Sequence, residues 1–255
     1  MDSPSDFLLL IEPEAQVGAW NMAVDEALLE AARVENLTAV RFYRWREPTL
    51  SLGYFQKSFP DDLPAELKSL SRVRRLSGGG AILHHHEWTY SCVLPPEHAL
   101  ASKPLGLYEV VHREIIAFLH SHQIAAAMRG TSTAEKAAGP FLCFGRKDPR
   151  DIVLGTHKIL GSAQRRRRGA VLQHGSLLLY RSPYAPMYPG LCDLLDNESP
   201  IEEWIPLVAA RIADRLQGHR EDPGDGAGIA TELPARIAEA AHELERVKYD
   251  LLDWR

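Results

Sequence analysis

Reactive side chains concentrate between Phe141 and Leu179, where a cysteine and a lysine stand fifteen residues apart. Cys143 lies among Phe141, Leu142 and Phe144, and the next charged residues are Arg146 and Lys147. Cations beside a thiol raise its thiolate fraction, and the thiolate is the nucleophilic form. Lys158 follows a Gly155-Thr156 pair suited to a two-residue hairpin turn. A thiol and an amine that the fold brings together suit acyl transfer, with sulfur as nucleophile and ammonium as electrostatic aid. Plainer readings stand beside these. Free cysteine is often a small buried hydrophobe, and a strand lysine is usually solvated. Gly139-Pro140 before Cys143 and Gly-Arg-Lys after it argue for a loop, whereas Cys92 and Cys192 read as packing residues. For Cys143, residue chemistry alone leaves both readings open.

A second candidate is Ser77-Gly78-Gly79-Gly80. Glycines permit positive φ, and successive amides can face an anion or a carbonyl. No Gly-Lys-Ser/Thr follows, so this is not a nucleotide P-loop. A plain tight turn explains three glycines equally well, but the flanking Arg74-Arg75 and Ala81-Ile82-Leu83-His84 make the stretch more specific. His84, His85 and His86 do not make a metal site, because neighbours on a strand point to opposite faces. A strand end with one useful histidine is expected. Arg165 to Arg168 form either a solvated turn or a docking point for an acidic carrier protein.

These residues need elements to hold them. Residues 17–35 have helical spacing in Trp20, Val24, Ala27, Leu28 and Ala31. Residues 39–45 alternate as a strand with both faces partly apolar, and Leu50 to Phe55 resume in β. Residues 57–71 read as a loop and short helix. Residues 72–95 read as strand, glycine loop, strand, tight connection, strand. Residues 106–122 form an amphipathic helix with Val110, Val111, Ile115, Phe118 and Leu119 on its apolar face. A loop over 125–140 leads to Cys143, followed by a meander of 151–154, 157–165 and 170–179 turning at Gly155-Thr156 and Arg168-Gly169. Helices over 201–217 and 234–249 flank a Gly-rich linker, Asp222 to Gly228. Strands interleaved with a few helices argue for a mixed α/β (α+β) domain.

The 255 residues, 45% hydrophobic and 25% charged, suffice for one large domain with a sizeable core. The net charge of −5 hides an asymmetry: residues 141–181 hold nine Lys/Arg against two acids, and residues 197–255 hold seven against thirteen. A basic patch on an acidic protein points to an acidic partner more than to nucleic acid. Three widely spaced cysteines with no CxxC argue against a disulfide framework or a zinc site. The apolar run Phe7 to Ile11 is too short for a signal-peptide core, and no run approaches a membrane span. A soluble, cytoplasmic protein of a reducing compartment is expected.

Several segments in order carry a family resemblance. They are Asn21-Met22-Ala23-Val24-Asp25-Glu26-Ala27, Arg41-Phe42-Tyr43-Arg44-Trp45 and Pro48 to Gln56, then Arg74 to His84, Glu87-Trp88-Thr89-Tyr90-Ser91 and Cys143-Phe144. His157-Lys158-Ile159-Leu160-Gly161-Ser162-Ala163-Gln164 and Leu172-Gln173-His174-Gly175-Ser176 follow, with a weaker match at Lys248-Tyr249 and Trp254. With these the chain resembles the biotin/lipoate protein ligase superfamily, and within it the octanoyltransferases that use a loop cysteine.

The resemblance implies mixed β-sheets flanked by helices, with a catalytic domain over 1–217. Residues 218–255 would be a short linker and a C-terminal helix packed on the same domain. It implies a tunnel for a medium-length acyl chain, with Cys143 as nucleophile and Lys158 as the second catalytic residue. Arg75, Ser77, Gly78, Gly79, Gly80, His84, Gly161, Ser162 and Ala163 would bind substrate. The implied partners are octanoyl acyl carrier protein and a lipoyl domain or glycine-cleavage carrier, without ATP, cofactor, metal, nucleic acid or membrane. Two departures stand out: Gly80 occupies a position where many transferases have arginine, and His85-His86 replaces a short acidic turn. An ATP-dependent lipoate ligase with an incidental Cys143, or a non-catalytic lipoate- or carrier-binding module, are the alternatives.

Overall fold

The computed structural model describes residues 6–57, 59–103, 105–130, 141–195, 199–218 and 228–250. Eight strands form the main sheet. Across it lie β11 (Ile229–Ala230), β1 (Phe7–Ile11), β2 (Thr38–Tyr43), β6 (Glu87–Leu94), β10 (Ala170–Leu178), β9 (His157–Arg167), β8 (Ile152–Leu154) and β7 (Ala126–Met128). The β11–β1 and β1–β2 pairs are parallel and the other five antiparallel. A second sheet has the order β4 (Ser71–Arg74), β3 (Thr49–Leu52), β5 (Ile82–His84).

Helices cover both faces of the large sheet. Val40, Phe42, Cys92, Leu94 and Val171 pack on one side with α3 (Gly106–Ser121) and α5 (Ile201–Gln217). Ala39, Val93 and Leu172 pack on the other with α1 (Gly18–Glu35) and with Ile237 and Ala241 of α6 (Ala235–Leu244). Strand side chains alternate between faces, so a strand between two helical layers is buried throughout. This explains why β2 has no polar face: every position is buried. The expected faces of α1 and α3 are the buried ones, save that Trp20 and Val110 are only partly covered. Two short helices, α2 (Ala65–Lys68) and α4 (Leu191–Leu194), and a π-helical turn, Glu245–Tyr249, are also present.

The β8–β9–β10 meander turns where glycine allows it. Gly155 has φ 60°, as the first central residue of a type II′ turn requires. Arg168 and Gly169 have φ 49° and 91°, the pair of positive values of a type I′ turn. The run Phe7–Ile11 is strand β1. Two expectations need correction. Strand β3 stops at Leu52, leaving Tyr54 and Phe55 in a turn. The stretch 125–140, expected to be loop, contains edge strand β7. Residues 131–140, including Gly139-Pro140, most of the linker from Asp222, and Trp254 lie outside the described residues. Among the described residues no helix is long and apolar enough to cross a membrane.

Candidate active site

A cavity of about 410 Å³ opens between the small sheet and strands β9 and β10 of the large one. That is within the usual range of roughly 300–1,000 Å³ for ligand pockets. Its wall includes Cys143, Lys158, Arg75, Gly78, Gly79, Gly80 and His84, with Gly161, Ser162 and Ala163 of β9. The Nζ of Lys158 lies 3.5 Å from the backbone oxygen of Cys143. Residues fifteen apart in sequence thus meet because β8–β9 folds back beneath the segment that carries the cysteine.

That segment is strapped to the glycine loop. Ala81 N–H donates to the carbonyl of Phe141 (3.1 Å), and Cys143 N–H donates to that of Ala81 (2.6 Å). A single 3-10 turn, Cys143–Gly145, follows. The guanidinium of Arg75 donates to the carbonyls of Ser51 (2.7 Å), Gly78 (2.8 Å) and Gly80 (2.7 Å). In a trans peptide the carbonyl and the next N–H point oppositely, so Gly79 N–H is directed away from Arg75. Burial pulls the Arg75 pKa down to about 10, with the charge on Cys143 opposing and that on Arg146 adding to the fall. At Gly80 a Cβ would come within 2.7 Å of the Arg146 guanidinium. The side chain missing from position 80 therefore leaves space that a guanidinium from position 146 fills.

Lys158 is held by Asp151, at 2.8 Å, with both side chains buried. Asp151 is fixed in turn by the N–H of Asp148 (2.8 Å) and by Arg129 (3.5 Å). Burial raises the Asp151 pKa, and the neighbouring ammonium offsets this only in part. A Cβ on Gly161 would sit 2.7 Å from Lys158 Nζ, so glycine is what leaves room for the ammonium. Spacing gave no sign of Asp151, whose approach to Lys158 depends on β8–β9 pairing.

Deeper in the cavity lie Met22, Tyr43 and Trp45. His84 stacks on Trp45 at 3.8 Å and donates Nδ1–H to Glu87 (2.6 Å). Burial lowers the His84 pKa against the pull of Glu87. Ser77 does not line the cavity. Its hydroxyl meets Nε2 of His174 (2.5 Å), which does line the cavity, and His174 Nδ1 meets Asp25 (3.1 Å). This relay ties the glycine loop to β10 and α1. Burial works against the Asp25 carboxylate, but the His174 hydrogen bond and the Arg41 charge hold its pKa below the ordinary value. Under Ser162, the His112 Nδ1–H donates to the carbonyl of Arg150 (2.7 Å), leaving Nε2 to accept from the Ser162 hydroxyl (2.7 Å). Ser162 accepts from Tyr90 (2.7 Å), which accepts from Gln173 (2.7 Å). Burial brings the His112 pKa down to about 4, so the ring is neutral at pH 7.

The remaining cysteines and arginines also find their places. Cys92 is wholly buried in β6, and burial raises its thiol pKa; Cys192 is half-buried by α4, and the same effect acts on it. The arginine run is not a solvated turn. Arg165 stacks over Tyr54 at 4.7 Å, Arg166 reaches the carbonyls of Ala101 and Lys103, and Arg167 pairs with Glu26 and Glu30. Only Arg168 sits in the turn. No cluster of three or more His, Cys, Asp or Glu among the described residues could hold a metal.

Comparison with known proteins adds a family to this geometry. The octanoyltransferase LipM of Brevibacillus brevis is 35% identical over 178 residues, which cover 66% of this chain and 64% of that protein. LipM of Symbiobacterium thermophilum is 37% identical over 177 residues, with coverages of 67% and 64%. The alignments thus span a little under two thirds of the length of these relatives. A solved lipoate-protein ligase A bound with ATP superposes with a TM-score of 0.69 at 21% identity, over 99% of this chain and 98% of that one, a likeness of fold. The family model of the lipoyl protein ligase A/B catalytic domain matches residues 18–188, well over half of the sequence, and the chain belongs to that family.

Proposed function

We propose that this protein transfers an octanoyl group from acyl carrier protein to a lysine of a lipoyl domain or glycine-cleavage carrier, through a thioester on Cys143. The observation that carries this reading is the single cavity shared by Cys143 and Lys158, with Nζ 3.5 Å from the cysteine's carbonyl. Similarity to proteins named octanoyltransferase supports it.

In the first step the Cys143 thiolate attacks the carbonyl carbon of the carrier thioester. The carrier's C–S bond breaks, and its thiolate leaves and takes a proton from water. In the second step a neutral lysine amine of the acceptor attacks the Cys143 thioester. The new C–N bond becomes an amide, the amine releases a proton, and the Cys143 thiolate returns. Thioester exchange is nearly isoenergetic and amide formation is downhill, so neither step needs ATP. Lys158, Gly79 N–H and the guanidiniums of Arg75 and Arg146 would stabilise the negative charge that forms on sulfur and then on oxygen. Asp151 would keep the ammonium aimed at the site. Met22, Tyr43, Trp45 and His84 would meet the far end of the acyl chain, where one methylene changes selectivity by about 1–3 kcal/mol. Arg75, Gly78, Gly80, Gly161, Ser162 and Ala163 would line its path, with Ser77 acting from behind the wall. Residues 1–217 would form the catalytic domain, closed by the C-terminal helix. A reduced thiol at Cys143 fits a reducing, cytoplasmic setting.

Incubating the protein with octanoyl carrier protein and an apo lipoyl domain, with and without ATP, tests the proposal. Octanoyl amide on the acceptor lysine without ATP is expected. Transfer only from free octanoate and ATP, with pyrophosphate released, would instead make the protein a ligase; ligand binding with no transfer would make it a binding module.

A further inference from the structure

We propose that Tyr54, Phe55 and Arg165 form the docking point for the acidic carrier domain that donates the acyl group. This rests on the acyl-transfer reading above. Phe55 is 77% exposed, the highest value for a large apolar side chain among the described residues, and Tyr54 beside it is 44% exposed. Scattered surface hydrophobics need no explanation, but these two are presented in an unusual way. Their turn is pinned on several sides. Tyr54 N–H donates to the carbonyl of Ser77 (2.9 Å), and Gln56 N–H to that of Gly53 (2.9 Å). Gly53 N–H donates to the Gln56 side chain (2.9 Å), and Arg74 reaches the carbonyls of Gly53, Tyr54 and Gln56.

The pinned turn backs directly onto the cavity's glycine loop. A Cβ on Gly53 would come within 2.1 Å of the Gly79 carbonyl oxygen, and one on Gly78 would sit 3.8 Å from the Phe55 ring. An aromatic already fixed in place loses little freedom when a partner covers it, which is how a few such residues dominate an interface. Arg165 adds charge to this spot. Its guanidinium lies over the Tyr54 ring, and it continues the strand whose Ser162, Ala163 and Gln164 line the cavity. No carboxylate of the described residues pairs with Arg165, whereas Arg167 is committed to Glu26 and Glu30. Lys147 also lines the cavity, while its two acids are already paired, Asp148 with Arg150 and Asp151 with Lys158, on a protein of net charge −5.

A partner suited to this rim offers carboxylates around a small apolar spot. Between the two carriers of the reaction, the donor fits better. Its thioester sits on a long flexible arm, so its body can rest on the rim while the arm enters. The acceptor's lysine is short and must come closer to Cys143.

The test compares two donors in the first half-reaction, followed as acylation of Cys143. One is octanoyl carrier protein, the other the octanoyl thioester of free pantetheine. Phe55→Ser and Arg165→Glu should each lower kcat/KM for the carrier donor about tenfold or more, while the pantetheine donor changes by less than about twofold. Raising ionic strength should slow the carrier donor with the wild type and much less with Arg165→Glu. Equal losses with both donors, or none with either, would overturn the docking proposal. So would normal acylation with slowed transfer to the acceptor, which would give the rim to the other carrier. No acylation of the wild type by either donor would overturn the acyl-transfer reading itself.

Discussion

A buried ammonium needs a partner that compensates its charge and aims it, and for Lys158 that is Asp151. Asp151→Asn leaves the ammonium uncompensated and should lower unfolding stability by roughly 3 kcal/mol. Adding Lys158→Met to Asp151→Asn should recover most of that stability without recovering acylation. Denaturant melts with acylation assays separate the two effects, and unchanged stability in the single variant would deny the pair its importance. Lys158→Ala alone should slow both half-reactions by about a hundredfold or more. His112 gives a pH signature. Its folded pKa, about 4, lies below the ordinary value of 6.5, so the unfolded chain binds the proton first as pH falls. Stability from this group is therefore complete above pH 6.5 and falls towards pH 4, by about 3 kcal/mol in all. The gap in stability between wild type and His112→Asn should narrow on acidification; a constant gap would contradict a neutral buried ring. Cys143 and Lys158 were legible in the sequence because residue type and family motif both mark them. Asp151 was not, since it meets Lys158 across the β8–β9 hairpin, and the register of that pairing cannot be read from spacing. Nor was the Asp25–His174–Ser77 relay, whose members are 149 and 97 positions apart.

Among the elements, two glycines make different predictions. A side chain at Gly53 would strike backbone, the carbonyl of Gly79, which cannot swing aside. Gly53→Ala should separate the β3 turn from the glycine loop and lower stability by about 1–3 kcal/mol. A side chain at Gly161 would strike the tip of Lys158, which can move. Gly161→Ala should slow acylation and lower stability by no more than Asp151→Asn does, because the ammonium is pushed off Asp151. Wild-type acylation in Gly161→Ala, or unchanged stability in Gly53→Ala, would contradict this account of the two positions. The meander was legible because Gly155 and Arg168-Gly169 supply the positive φ that tight hairpins need. Strand β7 was not, because Ala126-Ala127-Met128 lacks the branched and aromatic residues that mark strands. The arginine run misled for another reason. Charge is read as solvent, yet strand alternation sends Arg165 and Arg167 one way and Arg166 the other, each to a partner inside the molecule.

The molecule as a whole is closed by its C-terminal segment. Glu26 of α1 accepts hydrogen bonds from Lys248 (2.6 Å) and Tyr249 (2.6 Å) and pairs with Arg167 of β9. Tyr249 also packs against Met22, Tyr43 and Trp45, the deep wall of the cavity. Burial raises the Glu26 pKa, but its three partners outweigh it and hold the group below the ordinary 4.5. The clamp's contribution is therefore whole above pH 4.5 and is lost as pH falls further. Glu26→Gln should lower the melting temperature at pH 7 and reduce the loss on acidification; no change at either pH would mean that the clamp contributes nothing. The fold class was legible from strand runs interleaved with a few helices, while strand order was not, because pairing between distant segments leaves no local pattern. The central claim is that the cavity transfers an acyl group through one sulfur, and intact-mass measurement after mixing with octanoyl carrier protein, without ATP, tests it most directly. One octanoyl group should appear on the wild type, be released by hydroxylamine and be missing in Cys143→Ala. An adduct that persists in Cys143→Ala, or a wild type left unmodified by this donor, would contradict the account.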